Sequence, residues 1–149
     1  MYTSIVVGTD GSPTASLAVN EAARLAKAFD APLHVVSAFR TVAAAAIAAT
    51  AAQPAAAMVI GDWTVDVRAA VEEQLEQVAA QLSTAGIESA TYALAGDPVD
   101  AILDVAEQQK ADLIVVGNKG MQGARRVLGS VPNSVAHKAA CTVLIVKTS

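Results

Sequence analysis

Residues 4–13 read SIVVGTDGSP. The first half is a short run of apolar, mostly β-branched residues, which is the pattern of a strand buried on both faces. The second half begins a helix, because Ser12 is a favoured N-cap residue and Pro13 is favoured at the first helical position. A buried strand that passes directly into a helix is typical of a strand–helix–strand crossover and predicts a parallel sheet.

The same alternation continues to the end of the chain. Helical crossovers between short apolar strands place helices on both faces of a sheet. We therefore predict a Rossmann-like α/β fold with an open parallel five-stranded sheet of order 3-2-1-4-5 and four helices. The predicted strands are residues 4–9, 33–38, 87–95, 112–117 and 142–147, and the helices begin at Ser12–Pro13, Asp62, Asp97–Pro98 and Val131.

The length of 149 residues predicts one domain over residues 1–149 with a sizeable core. An alanine-rich insertion is expected at residues 41–61, and the sequence leaves its structure open. The lone Cys141 excludes a disulfide scaffold and is typical of a reducing compartment. Because no export signal or strongly apolar span precedes the first strand, we expect a cytoplasmic protein without membrane contact.

Charge is divided unevenly along the chain. Residues 1–112 hold all 14 acidic residues and five basic ones, a net charge of −9, whereas residues 113–149 hold five basic residues and no acidic one. An acidic body with a basic C-terminal quarter favours one local anion site over a nucleic-acid surface.

Residues 117–130, directly after the fourth predicted strand, read GNKGMQGARRVLGS. Glycines let backbone N–H groups approach an anion closely, and Gly129–Ser130 stand at the N-terminus of a predicted helix, which attracts phosphate. The pattern is neither a Walker A loop nor a dinucleotide fingerprint. The predicted phosphate-binding residues are Gly117, Asn118, Lys119, Gly120, Gly123, Arg126, Gly129 and Ser130.

The first strand ends in Gly8–Thr9–Asp10. In a sheet of order 3-2-1-4-5 the winding direction reverses between the first and fourth strands, and ligands bind beyond the carboxyl ends of the strands at that point. Asp10 is thus expected to accept hydrogen bonds from ribose or to help place a divalent cation on phosphates. The alternative is an Asx-turn in which Asp10 only shapes the loop.

These motifs together resemble the universal stress proteins of the nucleotide-binding type. The resemblance rests on VVGTDGS at residues 6–12, DLIVVG at residues 112–117 and GSVPNSVAHKAACTVLIVK at residues 129–147. Nucleotide-binding members carry glycine, two residues, glycine, nine residues, then glycine and serine or threonine. Here Gly117, Gly120 and Gly129–Ser130 match, but only eight residues separate Gly120 from Gly129.

The resemblance implies an adenine nucleotide, foremost ATP with Mg²⁺ at Asp10, and a role as sensor, reservoir or switch. It also implies a homodimer through Thr142–Lys147, an apolar edge strand that would otherwise invite aggregation. Matching by motif adds the residues expected beside the adenine, ribose and phosphates: Gly8, Thr9, Ala38, Val116 and Val131.

Three alternatives stay open for the function. The shortened loop would suit the single phosphate of cAMP, the same sheet could support slow ATP hydrolysis, and a dimeric interaction module would leave the crevice without nucleotide. Fast hydrolysis is not expected, because no general base or arginine finger can be named from the sequence.

Overall fold

The computed structural model describes residues 1–40, 60–119 and 131–148, and for residues 60–66 it describes the helical backbone alone. Within this part the chain forms five strands and four helices. They are β1 (Ile5–Gly8), α1 (Pro13–Phe29), β2 (Leu33–Phe39), α2 (Ile60–Thr84), β3 (Ser89–Ala95), α3 (Pro98–Gln108), β4 (Leu113–Gly117), α4 (Val131–Lys138) and β5 (Thr142–Val146).

The five strands form one sheet of order β3-β2-β1-β4-β5, and every neighbouring pair is parallel. In the centre of the sheet, Val7 of β1 is in register with Val35 of β2 on one side and Val115 of β4 on the other. The predicted Rossmann-like α/β fold and its strand order are confirmed.

The core lies on both faces of this sheet. Ile5 and Val7 point towards α1 and α2, whereas Val6 points towards α3 and α4, and all three side chains are fully buried. Burial on both faces explains why β1 is a continuous apolar run instead of an alternating one.

Both predicted helix caps are present. The Ser12 hydroxyl accepts a hydrogen bond from the Ala15 N–H at 3.1 Å, and the Asp97 carboxylate accepts from the Val99 N–H at 2.8 Å. A proline follows each cap at the start of its helix. These caps satisfy N–H groups of the first turn and fix where α1 and α3 leave the sheet.

The boundaries of α2 and β3 differ from the sequence prediction. The sequence prediction places Ile60 and Gly61 in the insertion, but both lie in α2. Because glycine disfavours helix, Gly61 led to a predicted helix start at Asp62. Strand β3 begins at Ser89 instead of Ile87, because the Ile87 N–H still bonds to the Leu82 carbonyl at the end of α2. The other residues of the predicted insertion, 41–59, lie outside the described residues.

No helix in the described parts of the chain is long and apolar enough to cross a membrane.

Asp112 ties the start of β4 to the residues before β1. Its carboxylate accepts hydrogen bonds from the N–H groups of Thr3 and Ser4 and from the Thr3 hydroxyl, at 2.9–3.1 Å. Partial burial raises the pKa of this carboxyl, but the hydrogen bonds from Ser4 and Thr3 outweigh that effect and hold the pKa below its ordinary value of 3.8.

We expect Asp112→Ala to lower the free energy of unfolding at neutral pH by about 1 kcal/mol, since a partly exposed carboxylate is screened by water. A group whose pKa is lower in the folded state stabilises the fold above its unfolded pKa. The difference between wild type and variant should therefore vanish as the pH falls through the folded pKa. Urea unfolding over a pH series measures it, and a difference independent of pH would contradict the assignment.

Candidate functional site

A cleft opens at the carboxyl ends of β1 and β4, where the strand order reverses. It holds about 530 Å³ of space, including space open to solvent. The described residues that line it are Gly8, Thr9, Asp10, Ala15, Val36, Ala38, Pro98, Ile102, Val116, Gly117, Lys119, Val131 and Pro132.

The inner part of the cleft is an apolar slot. Val36 and Ala38 of β2 lie on one side, Val116 of β4 lies on the other, and Pro98 and Ile102 of α3 also line it. Such a lining of small and branched side chains suits a flat, apolar group.

Gly8 allows α3 to approach the end of β1. A β-carbon at Gly8 would lie 2.6 Å from Cδ1 of Ile102, closer than real contacts permit. Ile102 is buried at 3% exposure, so its side chain has little room to move away. Glycine at this position therefore lets Ile102, another lining residue of the cleft, lie against the end of β1.

The loop after β1 brings a carboxylate to the rim of the cleft. Asp10 lines the cleft, and its Oδ1 accepts a hydrogen bond from the Ser12 N–H at 2.9 Å. The Asx-turn of the alternative interpretation is therefore present. Since an ionised carboxylate has several acceptor positions, the turn leaves Asp10 able to accept further hydrogen bonds.

The exit from β4 brings a cation to the other side. Gly117 and Lys119 both line the cleft, and Lys119 is the only cationic residue among the described lining residues. Between them, Asn118 is not part of the described lining: its side-chain Oδ1 accepts hydrogen bonds from the N–H and hydroxyl of Thr148, each at 2.8 Å.

The structure thus brings many of the predicted site residues to one cleft. Asn118 lies beside it, with its side-chain oxygen bonded elsewhere. Gly120, Gly123, Arg126, Gly129 and Ser130, and with them the shortened loop, lie outside the described residues. The predicted residues that line the cleft are Gly8, Thr9, Asp10, Ala38, Val116, Gly117, Lys119 and Val131.

The sequence prediction missed five lining residues: Ala15, Val36, Pro98, Ile102 and Pro132. A usable signal existed for Pro98, because the helix after each parallel strand starts at the carboxyl edge of the sheet, where ligands bind. The sequence prediction uses Asp97–Pro98 as the start of a helix and does not include Pro98 among the site residues.

The metal chemistry of the cleft is limited. Asp10 is the only carboxylate in the described lining, and the described residues contain no group of three or more metal-binding side chains. A divalent cation at Asp10 would need most of its oxygen ligands from phosphates and water, as Mg²⁺ commonly has at nucleotides.

The family model for universal stress proteins matches residues 1–147. The chain belongs to the universal stress protein family. This membership agrees with the five-stranded parallel sheet of order β3-β2-β1-β4-β5.

Individual members of the universal stress protein family match over nearly the whole chain. The universal stress protein Rv1636 of Mycobacterium tuberculosis is 39% identical over 99% of this chain and 98% of its own length. MJ0531 of Methanocaldococcus jannaschii is 33% identical over 99% of this chain and 83% of its own length. A universal stress protein solved in complex with cAMP has a TM-score of 0.74 and 33% identity, covering 99% of this chain and 98% of that one.

We expect Gly8→Ala to lower the free energy of unfolding by about 1–3 kcal/mol, the usual cost of overpacking a core. Ile102→Val removes Cδ1, the atom that the new methyl group would meet, and should restore part of the loss when it is combined with Gly8→Ala. Chemical denaturation of the two single variants and the double variant measures this coupling. Additive losses would show that Gly8 and Ile102 do not pack in the way described.

Proposed function

We propose that this chain binds an adenine nucleotide, foremost ATP, in the cleft between β1 and β4, and acts as a nucleotide-dependent sensor, reservoir or switch in the stress response. The observation that carries the proposal is the composition of that cleft: an apolar slot is bordered by a carboxylate at Asp10 and a cation at Lys119. A purine, a ribose and a phosphate chain have the complementary chemistry.

The apolar slot supports the base. A purine ring gains from burial against Val36, Ala38 and Ile102. Asp10, at the rim, would accept hydrogen bonds from the ribose hydroxyls, as its remaining acceptor positions allow.

The β4 exit supports the phosphates. Lys119 supplies positive charge, and Gly117 lines the same part of the cleft. The predicted phosphate residues Gly120, Gly123, Arg126, Gly129 and Ser130 complete this part of the proposal from the sequence alone. Mg²⁺ would bind through phosphate oxygens and Asp10.

A second candidate ligand is cAMP. A universal stress protein with 33% identity and a TM-score of 0.74 was solved in complex with cAMP. The eight-residue spacing between Gly120 and Gly129, one shorter than the family pattern, also favours a ligand with one phosphate.

We propose binding without fast turnover. The described lining contains no imidazole, and its one carboxylate, Asp10, is assigned above to the ribose and to Mg²⁺ and not to a water molecule. Slow hydrolysis of bound ATP is the enzymatic alternative, and a nucleotide-free interaction module is the non-enzymatic one.

The single domain over residues 1–149 and the cytoplasmic location stay predictions.

Calorimetric titration with ATP, ADP, AMP and cAMP, each with and without Mg²⁺, tests the ligand. We expect saturable binding of ATP, strengthened by Mg²⁺, because the cation offsets the charge of the phosphates beside Asp10. Tighter binding of cAMP than of ATP would replace the first candidate by the second. If all four nucleotides fail to bind at millimolar concentration, the nucleotide proposal is wrong.

The position of the base is tested by Ala38→Phe. A phenyl ring at this half-buried position would fill the slot, and we expect at least a tenfold loss of ATP affinity, roughly 1.4 kcal/mol, at a nearly unchanged melting temperature. Ala95→Phe is the matched control, because Ala95 is exposed near the end of the neighbouring strand β3 and is not part of the described lining. Equal affinities of the two variants would contradict a base at Ala38.

We further propose a homodimer through β5. This strand is at the edge of the sheet, and Ile145 on it is 46% exposed, so pairing with β5 of a second copy would cover both its backbone groups and an apolar side chain.

Ile145→Lys is expected to shift the protein from dimer to monomer in analytical ultracentrifugation, because a charge would be buried in the paired edge. Leu17→Lys on α1 is the matched control, since Leu17 is exposed to 47% but lies on a helix. A wild-type protein that is monomeric at high concentration would contradict the dimer. An unaltered dimer in Ile145→Lys would contradict the interface.

A further inference from the structure

Thr148 is held against the exit of β4 although it follows the last strand. Its side chain is buried at 6% exposure, and its N–H and hydroxyl both donate to Asn118 Oδ1 at 2.8 Å. The Asn118 N–H in turn donates to the Val146 carbonyl at 2.8 Å. Three hydrogen bonds therefore join residue 118 to the segment that ends β5.

This junction adjoins the cleft. Gly117 and Lys119, the neighbours of Asn118 in the chain, both line the cleft. A β-carbon at Gly117 would lie 3.1 Å from the Thr148 methyl carbon, so the threonine packs directly on the glycine backbone. Any shift of Thr148 would act on residues that face the ligand.

We propose that Asn118 is a positioning residue that acts through Thr148: the pair fixes Gly117 and Lys119 for the anionic part of the ligand. This inference rests on the proposed nucleotide binding. Asn118 then contributes to affinity without touching the nucleotide, and Thr148 supports Gly117 from outside the described lining of the cleft.

The energetics favour a positioning role. Asn118 Oδ1 satisfies two donors at once, and a buried N–H or hydroxyl without a partner is unfavourable. The Asn118–Thr148 pair is therefore held in one arrangement, which keeps the backbone from residue 117 to residue 119 ordered before the ligand arrives. Such preorganisation raises affinity by reducing the entropy lost on binding.

Thr148→Val tests the proposal, because valine keeps the shape of threonine and removes the hydroxyl donor. We expect ATP affinity to fall roughly three- to tenfold, while adenosine, which has no phosphate, keeps its affinity within about a factor of two. Thr148→Ser retains the hydroxyl and should restore ATP affinity. Calorimetry with both ligands gives the ratio of ATP affinity to adenosine affinity, called here the ATP-to-adenosine ratio. A general loss of stability would lower both affinities and leave this ratio unchanged.

Thr3→Val is the matched control. This variant also removes a threonine hydroxyl, which donates to the Asp112 carboxylate at 2.9 Å. Thr3 precedes β1 and therefore lies at the end of that strand away from the cleft. We expect it to lower the melting temperature and leave the ATP-to-adenosine ratio unchanged. A similar change of that ratio in both variants would reduce the Thr148 effect to stability and overturn the proposal.

A double-mutant cycle separates positioning from direct contact. If Asn118 acts through Thr148, Asn118→Leu and Thr148→Val weaken ATP binding non-additively, and the double variant resembles Asn118→Leu. Additive losses would mean that Asn118 contacts the nucleotide itself and would overturn the inference.

The outcomes also distinguish this inference from the function on which it rests. Wild-type protein that binds neither ATP nor adenosine contradicts the nucleotide proposal as a whole. Wild-type protein that binds ATP, with a Thr148→Val variant of unchanged ATP-to-adenosine ratio, contradicts only the positioning role.

Discussion

Crossovers in a parallel sheet have one hand. Where the winding direction reverses, the segments that follow two neighbouring strands therefore leave on opposite faces of the sheet and open a crevice at the carboxyl ends. In this chain the reversal falls between β1 and β4, which are neighbours in the order β3-β2-β1-β4-β5. The position of the cleft follows from this one constraint, and the loops after β1 and β4 bring Asp10 and Lys119 to it. The winding of the sheet fixes the position of this opening.

The fold could be predicted because its local signals agree with one another. Val6 and Val7 predict a strand buried on both faces, and Ser12–Pro13 predict the helix that follows. The structure confirms both predictions. The errors arose where local propensity and tertiary structure disagree. Gly61 disfavours helix yet lies in α2, since packing of the helix as a whole outweighs the preference of one residue.

The candidate site could be predicted only as far as strand ends reveal it. Gly8, Asp10 and Gly117 follow directly from where β1 and β4 end, and all three line the cleft. The place of Ile102 in the cleft could not be predicted from the strand ends, because it depends on how closely α3 packs on Gly8. The hydrogen bonds between Asn118 and Thr148 could not be predicted either. They depend on the register of β4 and β5, and the two residues are 30 positions apart in the chain.

We propose that an adenine nucleotide binds where the winding of the sheet reverses. Titration of ¹⁵N-labelled protein with ATP and Mg²⁺, followed by amide chemical shifts, tests this claim most directly. We expect the largest shifts at the amides of Gly8, Asp10 and Lys119, because these residues line the cleft. Shifts confined to Lys27 and Gly86, which line a polar hollow elsewhere, or no shifts at saturating ATP, would contradict it.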